Sequence, residues 1–345
     1  MGNVHAASVI PPCAVTGIGS LPMHDPVAAV RLVAHYCPQL PFWPQLPQRS
    51  AHEGMIAQVL GPLDDLVFPL EDGIRYAVRA GCGDQVARRL QAGTVVLDAA
   101  HAAGFFAFEA ALEQGMFADA ACLKAQIVGP LTLAAMLLGA APTPAEGVPL
   151  LEQDDMLEGV GHYITRMALW QIARLSRWKR PLLFFLDDPF VALVPLQAGD
   201  QPSGPLRVVQ RTVAALRAAG VLVGLHCCAT TAIAAAMSRT GADVLSFDAY
   251  NALEDFFADA EGRAFVQQGG VVAAGLVPTW DDVRGLAAAT LAARWQAAAG
   301  AVVGDRAALA RQTIVTAACG LGLKREAAAR DSFALAQEVA ELLRC

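Results

Sequence analysis

The chain has little charge and few aromatic residues. Asp, Glu, Lys and Arg make up 17% of its 345 residues and aromatics 7%, with a formal net charge of −7. That acidic balance, with no Lys/Arg cluster to offset it, excludes nucleic acid or an anionic membrane surface as a partner. So few aromatic residues offer no base-stacking platform. The cysteines stand at positions 13, 37, 82, 122, 227, 228, 319 and 345, without the regular spacing of a disulfide framework. The opening "MGNVHAASVIPPC" has neither a basic stretch nor a sustained apolar one. No secretory signal is expected, and a reducing cytoplasm is the expected location. Internal repeats and low-complexity linkers are also lacking, so residues 1–345 read as one domain.

What is abundant is apolar: 55% of the residues are hydrophobic, enough for a large core and too much for disorder. The uncharged run 125–145, "AQIVGPLTLAAMLLGAAPTPA", is long enough to mimic a membrane span. Gly129–Pro130 near its start and Gly139, Pro142 and Pro144 near its end break it into a strand, a turn and a short helix of a core.

Short apolar runs recur along the chain: "AVTGI" (14–18), "QLPFW" (39–43), "LKAQIV" (123–128), "PLLFFLD" (181–187), "VLVGLH" (221–226), "DVLSFD" (243–248), "GVVAAGL" (270–276) and "TIVTAA" (313–318). Helical patterns separate them, the longest at 151–179. Near-continuous apolar strands alternating with helices predict a parallel sheet covered on both faces, and eight such units predict a (β/α)8 TIM barrel. The second and third strands are too far apart for one helix. Residues 56–115 therefore read as an elaborated insertion between strands 2 and 3, with the character of a partial lid.

In such a barrel chemistry gathers at the C-terminal ends of the strands. There the chain places "GLHCCATT" (224–231), Asp248 in "SFDAYN" and Cys319 in "TAACGLGLK". Taken singly, each has a plain structural reading: buried cysteines, a core histidine, a carboxylate capping a helix. Together they form a zinc-ligand set of His226, Cys228, Asp248 and Cys319, because strand alternation sends His226 and Cys228 to one side and Cys227 to the other. Two other strand ends build a pocket. Ser20 in "GIGSLP" is suited to a carboxylate, and Asp187 with Asp188 in "LDDPF" to an ammonium, which together describe an amino acid. "GIGSLP" is not a dinucleotide loop, since Leu21–Pro22 follow where a helix should open.

In chain order, "GIGSLP", "GPLTL", "LDDP", "HCC", "ADVLSFD" and "ACGLGLK" resemble the catalytic barrel of cobalamin-independent methionine synthase, from about residue 14 to 340. The resemblance implies zinc on His226, Cys228, Asp248 (a Glu in the family) and Cys319. It also implies an amino-acid carboxylate at Ile18, Gly19 and Ser20, and an amine at Asp187 and Asp188, where the family has Asp-Glu. Glu53 is the best match to a further amine-binding Glu. On this reading zinc deprotonates the homocysteine thiol for attack on a methyl group, with Asp248 the most displaceable ligand.

The resemblance does not extend to the family's N-terminal barrel, nor closely to residues 56–115. The expected donor is therefore methylcobalamin or a methylated corrinoid protein rather than methyl-tetrahydrofolate. An apolar mouth above Cys319, with Trp43 and Trp280, is expected to admit it. Coenzyme M or another thiol as acceptor, the folate-dependent reaction, and a non-catalytic zinc or corrinoid chaperone are the alternatives.

Overall fold

A computed structural model describes residues 6–143, 146–194, 203–230 and 233–345. Pro144 of the apolar run and Thr231 of "GLHCCATT" lie outside them. Ten strands occur among the described residues: β1 (Ala14–Val15), β2 (Val67–Pro69), β3 (Tyr76–Val78), β4 (Leu123–Val128), β5 (Leu137–Leu138), β6 (Leu182–Asp187), β7 (Leu222–Cys227), β8 (Val244–Phe247), β9 (Val271–Val277) and β10 (Thr313–Ala317). Seven of them form an all-parallel sheet in the order β1-β10-β9-β8-β7-β6-β4.

The expected eight regular strands are seven. The second run, 39–43, does lie between the sheet's edge strands, but it and Gln45 just beyond it make only isolated bridges there, Phe42 to Lys124 and Gln45 to Ser20. Lys124 N donates to Pro41 O at 2.8 Å, and Gln45 N to Gly19 O at 3.0 Å. Pro41, Pro44 and Pro47 explain the lost regularity, because each removes a backbone donor that a ladder requires.

Alternation along each strand separates two buried layers. Leu183 and Phe185 of β6, Leu222 of β7, Val244 of β8, Val271 and Ala273 of β9, and Ile314 of β10 gather in one cluster. Ala6 and Ile10 of the N-terminal segment join them and plug that end of the curled sheet. The intervening residues, such as Phe184, Val223, Leu245, Val272 and Val315, belong to a larger cluster shared with the helices. Close packing in the inner layer is visible at Gly224, where an added Cβ would lie 2.5 Å from the Phe185 ring.

The insertion is real, and it clamps to the outer wall. It carries the antiparallel pair β2–β3, which β5 extends in parallel, and helices Gly83–Ala92 and Ala103–Glu113. Helix 83–92 packs on helix Asp154–Leu175, whose Arg166 caps it by donating to the carbonyls of Arg89, Leu90 and Gly93. Those carbonyls are the acceptors a helix C-terminus leaves free. The apolar run resolves as β4, helix Pro130–Met136 and β5. No helix among the described residues is long and apolar enough to cross a membrane.

Candidate metal centre and amino-acid pocket

Three of the four predicted zinc ligands come together. One ligand atom each from His226, Cys228 and Cys319 lies within 4.8 Å of the other two. His226 is the last inward residue of β7, and Cys228 follows one residue beyond the strand. Cys319 arrives differently. The register of β10 on β9 shifts between Thr316 and Ala317, and Ala318 N donates to Val277 O at 2.8 Å. A shift of this kind re-aims the side chains that follow it. Gly275 makes room for the crossing: a Cβ there would lie 2.7 Å from Ala318 Cα.

The imidazole of His226 is 3% exposed, with Nδ1 3.0 Å from Ser246 Oγ and no hydrogen-bond partner at Nε2. In the tautomer that donates Nδ1–H to Ser246, Nε2 presents a lone pair to the cysteines. The closeness of Cys319 and of the His226 ring holds the Cys228 thiol down, and the same contact with Cys228 pushes the Cys319 thiol up. Cys227 is turned away. It is buried in the outer layer with Sγ 3.6 Å from Pro189 O.

Asp248 does not join the cluster. Its Oδ1 accepts from Asn251 N at 3.0 Å and its Oδ2 from Asn251 Nδ2 at 2.7 Å. It ties the turn after β8 and does not cap the helix that follows, Leu253–Ala258, whose N-cap position is Ala252.

The neighbouring acids divide in the same way. Asp187 ends β6 in register with His226, is 5% exposed, and has no hydrogen-bond partner at Oδ1. Burial pushes its carboxyl up to about 6, against the opposing pull of His226 and Lys124. Asp188 faces away, onto the N-terminus of helix 130–136. Leu131 N, Thr132 N and Thr132 Oγ1 donate to it at 3.1, 2.8 and 2.6 Å. An added Cβ at Gly129 would lie 2.2 Å from Asp188 Cβ, so the glycine of "GPLTL" makes room for this carboxylate.

Ile18, Gly19 and Ser20 form a loop knitted to the segment after Cys319. Gly322 N donates to Ser20 Oγ at 3.1 Å, and Leu321 N to Ser20 O at 3.0 Å. A Cβ on Gly320 would lie 2.2 Å from Ser20 Oγ, which puts the hydroxyl one residue from Cys319. Glu53 is fully buried; its Oε1 accepts from Arg49 at 2.6 Å, and its Oε2 has no partner. Burial pushes its carboxyl up, partly offset by Arg49.

Sequence reading missed Lys124, which is 1% exposed. Its Nζ donates to Ile18 O at 2.6 Å and to Gln126 Oε1 at 3.1 Å, with the Phe185 ring centroid 4.8 Å away. Burial pushes the ammonium down to about 8, opposed by Asp187. The signal was a lysine inside the apolar run "LKAQIV". The two tryptophans do not share a mouth. Trp43 is fully buried, with Nε1 donating to Gln171 at 3.0 Å, whereas Trp280 is 48% exposed and edge-on to Tyr250. A cleft of about 720 Å³ lies beside β1, lined by Pro11, Tyr36, Gln337 and Arg344 among others, and holds none of the predicted site residues.

No family model and no curated protein matches the chain. Solved structures do. A B12-independent methionine synthase from Shewanella sp. W3-18-1, in complex with selenomethionine, superposes with a TM-score of 0.60 at 11% identity, covering 96% of this chain and 98% of that one. The chain shares that fold. A Listeria monocytogenes chain assigned to the vitamin-B12-independent methionine synthases overlaps over 66% of each chain, at 14% identity and a TM-score of 0.43.

Proposed function

We propose that the protein is a zinc-dependent methyltransferase of methionine-synthase type, on a barrel completed by the 39–45 segment, acting on an α-amino thiol such as homocysteine. The observation that carries this is the meeting of His226, Cys228 and Cys319 beside the unpartnered Asp187 Oδ1, at the C-terminal end of a parallel sheet. Zinc fits the donors: two sulfurs and an imidazole whose Nε2 is otherwise an orphan. With Asp248 held by Asn251, His226, Cys228 and Cys319 are the residues that would hold the metal, which would leave a place for the substrate thiol.

Bound there, zinc keeps the acceptor sulfur deprotonated at neutral pH. The chain's own residues position the amino acid. Asp187 accepts from the ammonium through its free oxygen, and the Ser20 hydroxyl, already accepting from Gly322, donates its own hydrogen to the carboxylate. Lys124 fixes that loop by holding Ile18 O. Coenzyme M has no amine for Asp187 to meet, which favours homocysteine.

The expected methylcobalamin donor and corrinoid-protein partner gain no support from Trp43 or Trp280, which do not line a common surface. The fold-sharing Shewanella protein has nearly this chain's length and is named B12-independent, so length does not point away from a folate donor. Zinc-loaded protein should be offered methylcobalamin and methyl-tetrahydrofolate, each with homocysteine and with coenzyme M. Methyl transfer to homocysteine from either donor supports the reading. Zinc binding with no transfer to either thiol would leave the chaperone alternative in its place.

A further inference from the structure

A second group of metal-ligating side chains lies in and beside the insertion. One ligand atom each from His52, Asp64 and His101 falls within 4.8 Å of the other two. We propose that His52, Asp64 and His101 bind a divalent transition metal of the zinc class, separate from the cysteine centre, which pins the insertion to the turn that carries Glu53.

The three residues come from separate pieces of backbone. His52 sits in the turn Ala51–Glu53, where Ser50 Oγ accepts from His52 N at 3.2 Å. Asp64 follows the turn Gly61–Leu63, and His101 precedes helix 103–113. His101 is 6% exposed, and its Nε2 has no hydrogen-bond partner. Its other nitrogen is committed: Nδ1 lies 2.9 Å from Asp98 Oδ1, and Asp98 also accepts from the backbone of Ala100 and His101. A carboxylate on the far ring nitrogen is what orients a metal-binding histidine. The imidazole lies flat on Gly61, where an added Cβ would stand 3.0 Å from Nδ1.

With Nδ1–H given to Asp98, the Nε2 lone pair faces Asp64 Oδ2 across 3.3 Å. Two lone pairs at that distance repel unless something positive lies between them. A proton on His101 would serve, making an Asp98–His101–Asp64 ion triad. That triad leaves His52 without a role, although its ring is held edge-on to His101 at 5.1 Å between centroids. A cation uses all three groups. Bonds of about 2.0–2.1 Å in tetrahedral array set neighbouring ligand atoms about 3.3–3.4 Å apart, which the Asp64–His101 pair already matches. Two imidazoles and one carboxylate are borderline donors that suit zinc over calcium or magnesium.

The test separates this site from the cysteine centre. A Cys228→Ser/Cys319→Ser double variant, stripped of metal, is titrated with Zn²⁺ against a chromophoric chelator and then with Co²⁺. One equivalent should bind, and the cobalt spectrum should show d–d bands with no thiolate charge transfer. Adding His52→Ala, an exposed substitution whose folding is checked by circular dichroism, should abolish that equivalent. Asp98→Asn should weaken it by about 10- to 100-fold. No zinc on the double variant would leave the ion triad as the correct account and overturn the proposal. Zinc that persists after His52→Ala would overturn it too, by placing the ion elsewhere. Neither outcome touches the cysteine centre, which is read from the thiolate bands of the unmutated protein.

Discussion

The inward-facing side chains of the parallel strands differ sharply between the two ends of the sheet. At the N-terminal end they are Leu183, Phe185, Leu222, Val244, Val271 and Ile314, sealed by Ala6 and Ile10. Two to four residues further along β6, β7, β8 and β10 they become Asp187, His226, Ser246 and Thr316, all buried. At that end Asp187 Oδ1, His226 Nε2 and Thr316 Oγ1 have no hydrogen-bond partner. Orphaned buried polar atoms cost about 1–3 kcal/mol each, so the second layer is a stability burden that the first offsets. One end of these strands is given to apolar packing and the other to buried polar groups.

This division can be broken most severely at the metal centre. Cys228→Ser or Cys319→Ser should lose the zinc held there, read as metal content of the purified protein, while the unfolding midpoint of the metal-free protein hardly moves. Phe185→Ala should do the reverse. Loss of that buried ring is expected to cost about 3–5 kcal/mol in denaturant unfolding, with the cysteine centre's zinc unchanged wherever the protein remains folded. If the cysteine substitutions destabilised the metal-free chain as much as Phe185→Ala does, the two ends would not be divided as described.

A smaller effect separates the two adjacent acids. Asp187→Asn should raise the KM for homocysteine by about 10- to 100-fold, the worth of one charge-assisted hydrogen bond, and leave the zinc content alone. Asp188→Ala should leave that KM unchanged and cost about 1–3 kcal/mol of stability, because three donors on helix 130–136 lose their acceptor. An unchanged KM in Asp187→Asn would point to an acceptor thiol without an amine. The smallest effects are expected at Asp248→Ala and Cys227→Ser, which should both retain the cysteine centre's zinc. Loss of that zinc in Asp248→Ala would restore the carboxylate as a fourth ligand.

Strand positions were legible because a strand buried on both faces needs an uninterrupted apolar run. "LKAQIV" matches β4 residue for residue, and "VLVGLH" and "TIVTAA" fall within one residue of β7 and β10. The run "QLPFW" carried the same apolar signal, but Pro41 and Pro44 left it only isolated bridges. The meeting of His226 and Cys228 was legible because alternation past a strand end is a local rule. The same rule sends Cys227 to the other side, where its Sγ lies 3.6 Å from Pro189 O.

The carboxylates were not legible, since an oxygen's partner is chosen by whatever donor the fold brings near it. Asn251 is three residues from Asp248, close enough to have been suspected. Thr132 is 56 residues from Asp188, and no spacing rule connects them.

By itself, then, the order of residues determined which segments become strands, which side chains share a face, and which thiol of the pair at 227–228 turns inward, because these follow from backbone period and apolar burial. Tertiary structure alone decided that Asp187 keeps a free oxygen while Asp188 is spent on a distant helix. It also decided that Lys124 is buried against the loop at Ile18, and that His52, Asp64 and His101 meet. Each of these depends on how separate segments dock, and a buried polar atom bonds to whichever neighbour docking supplies.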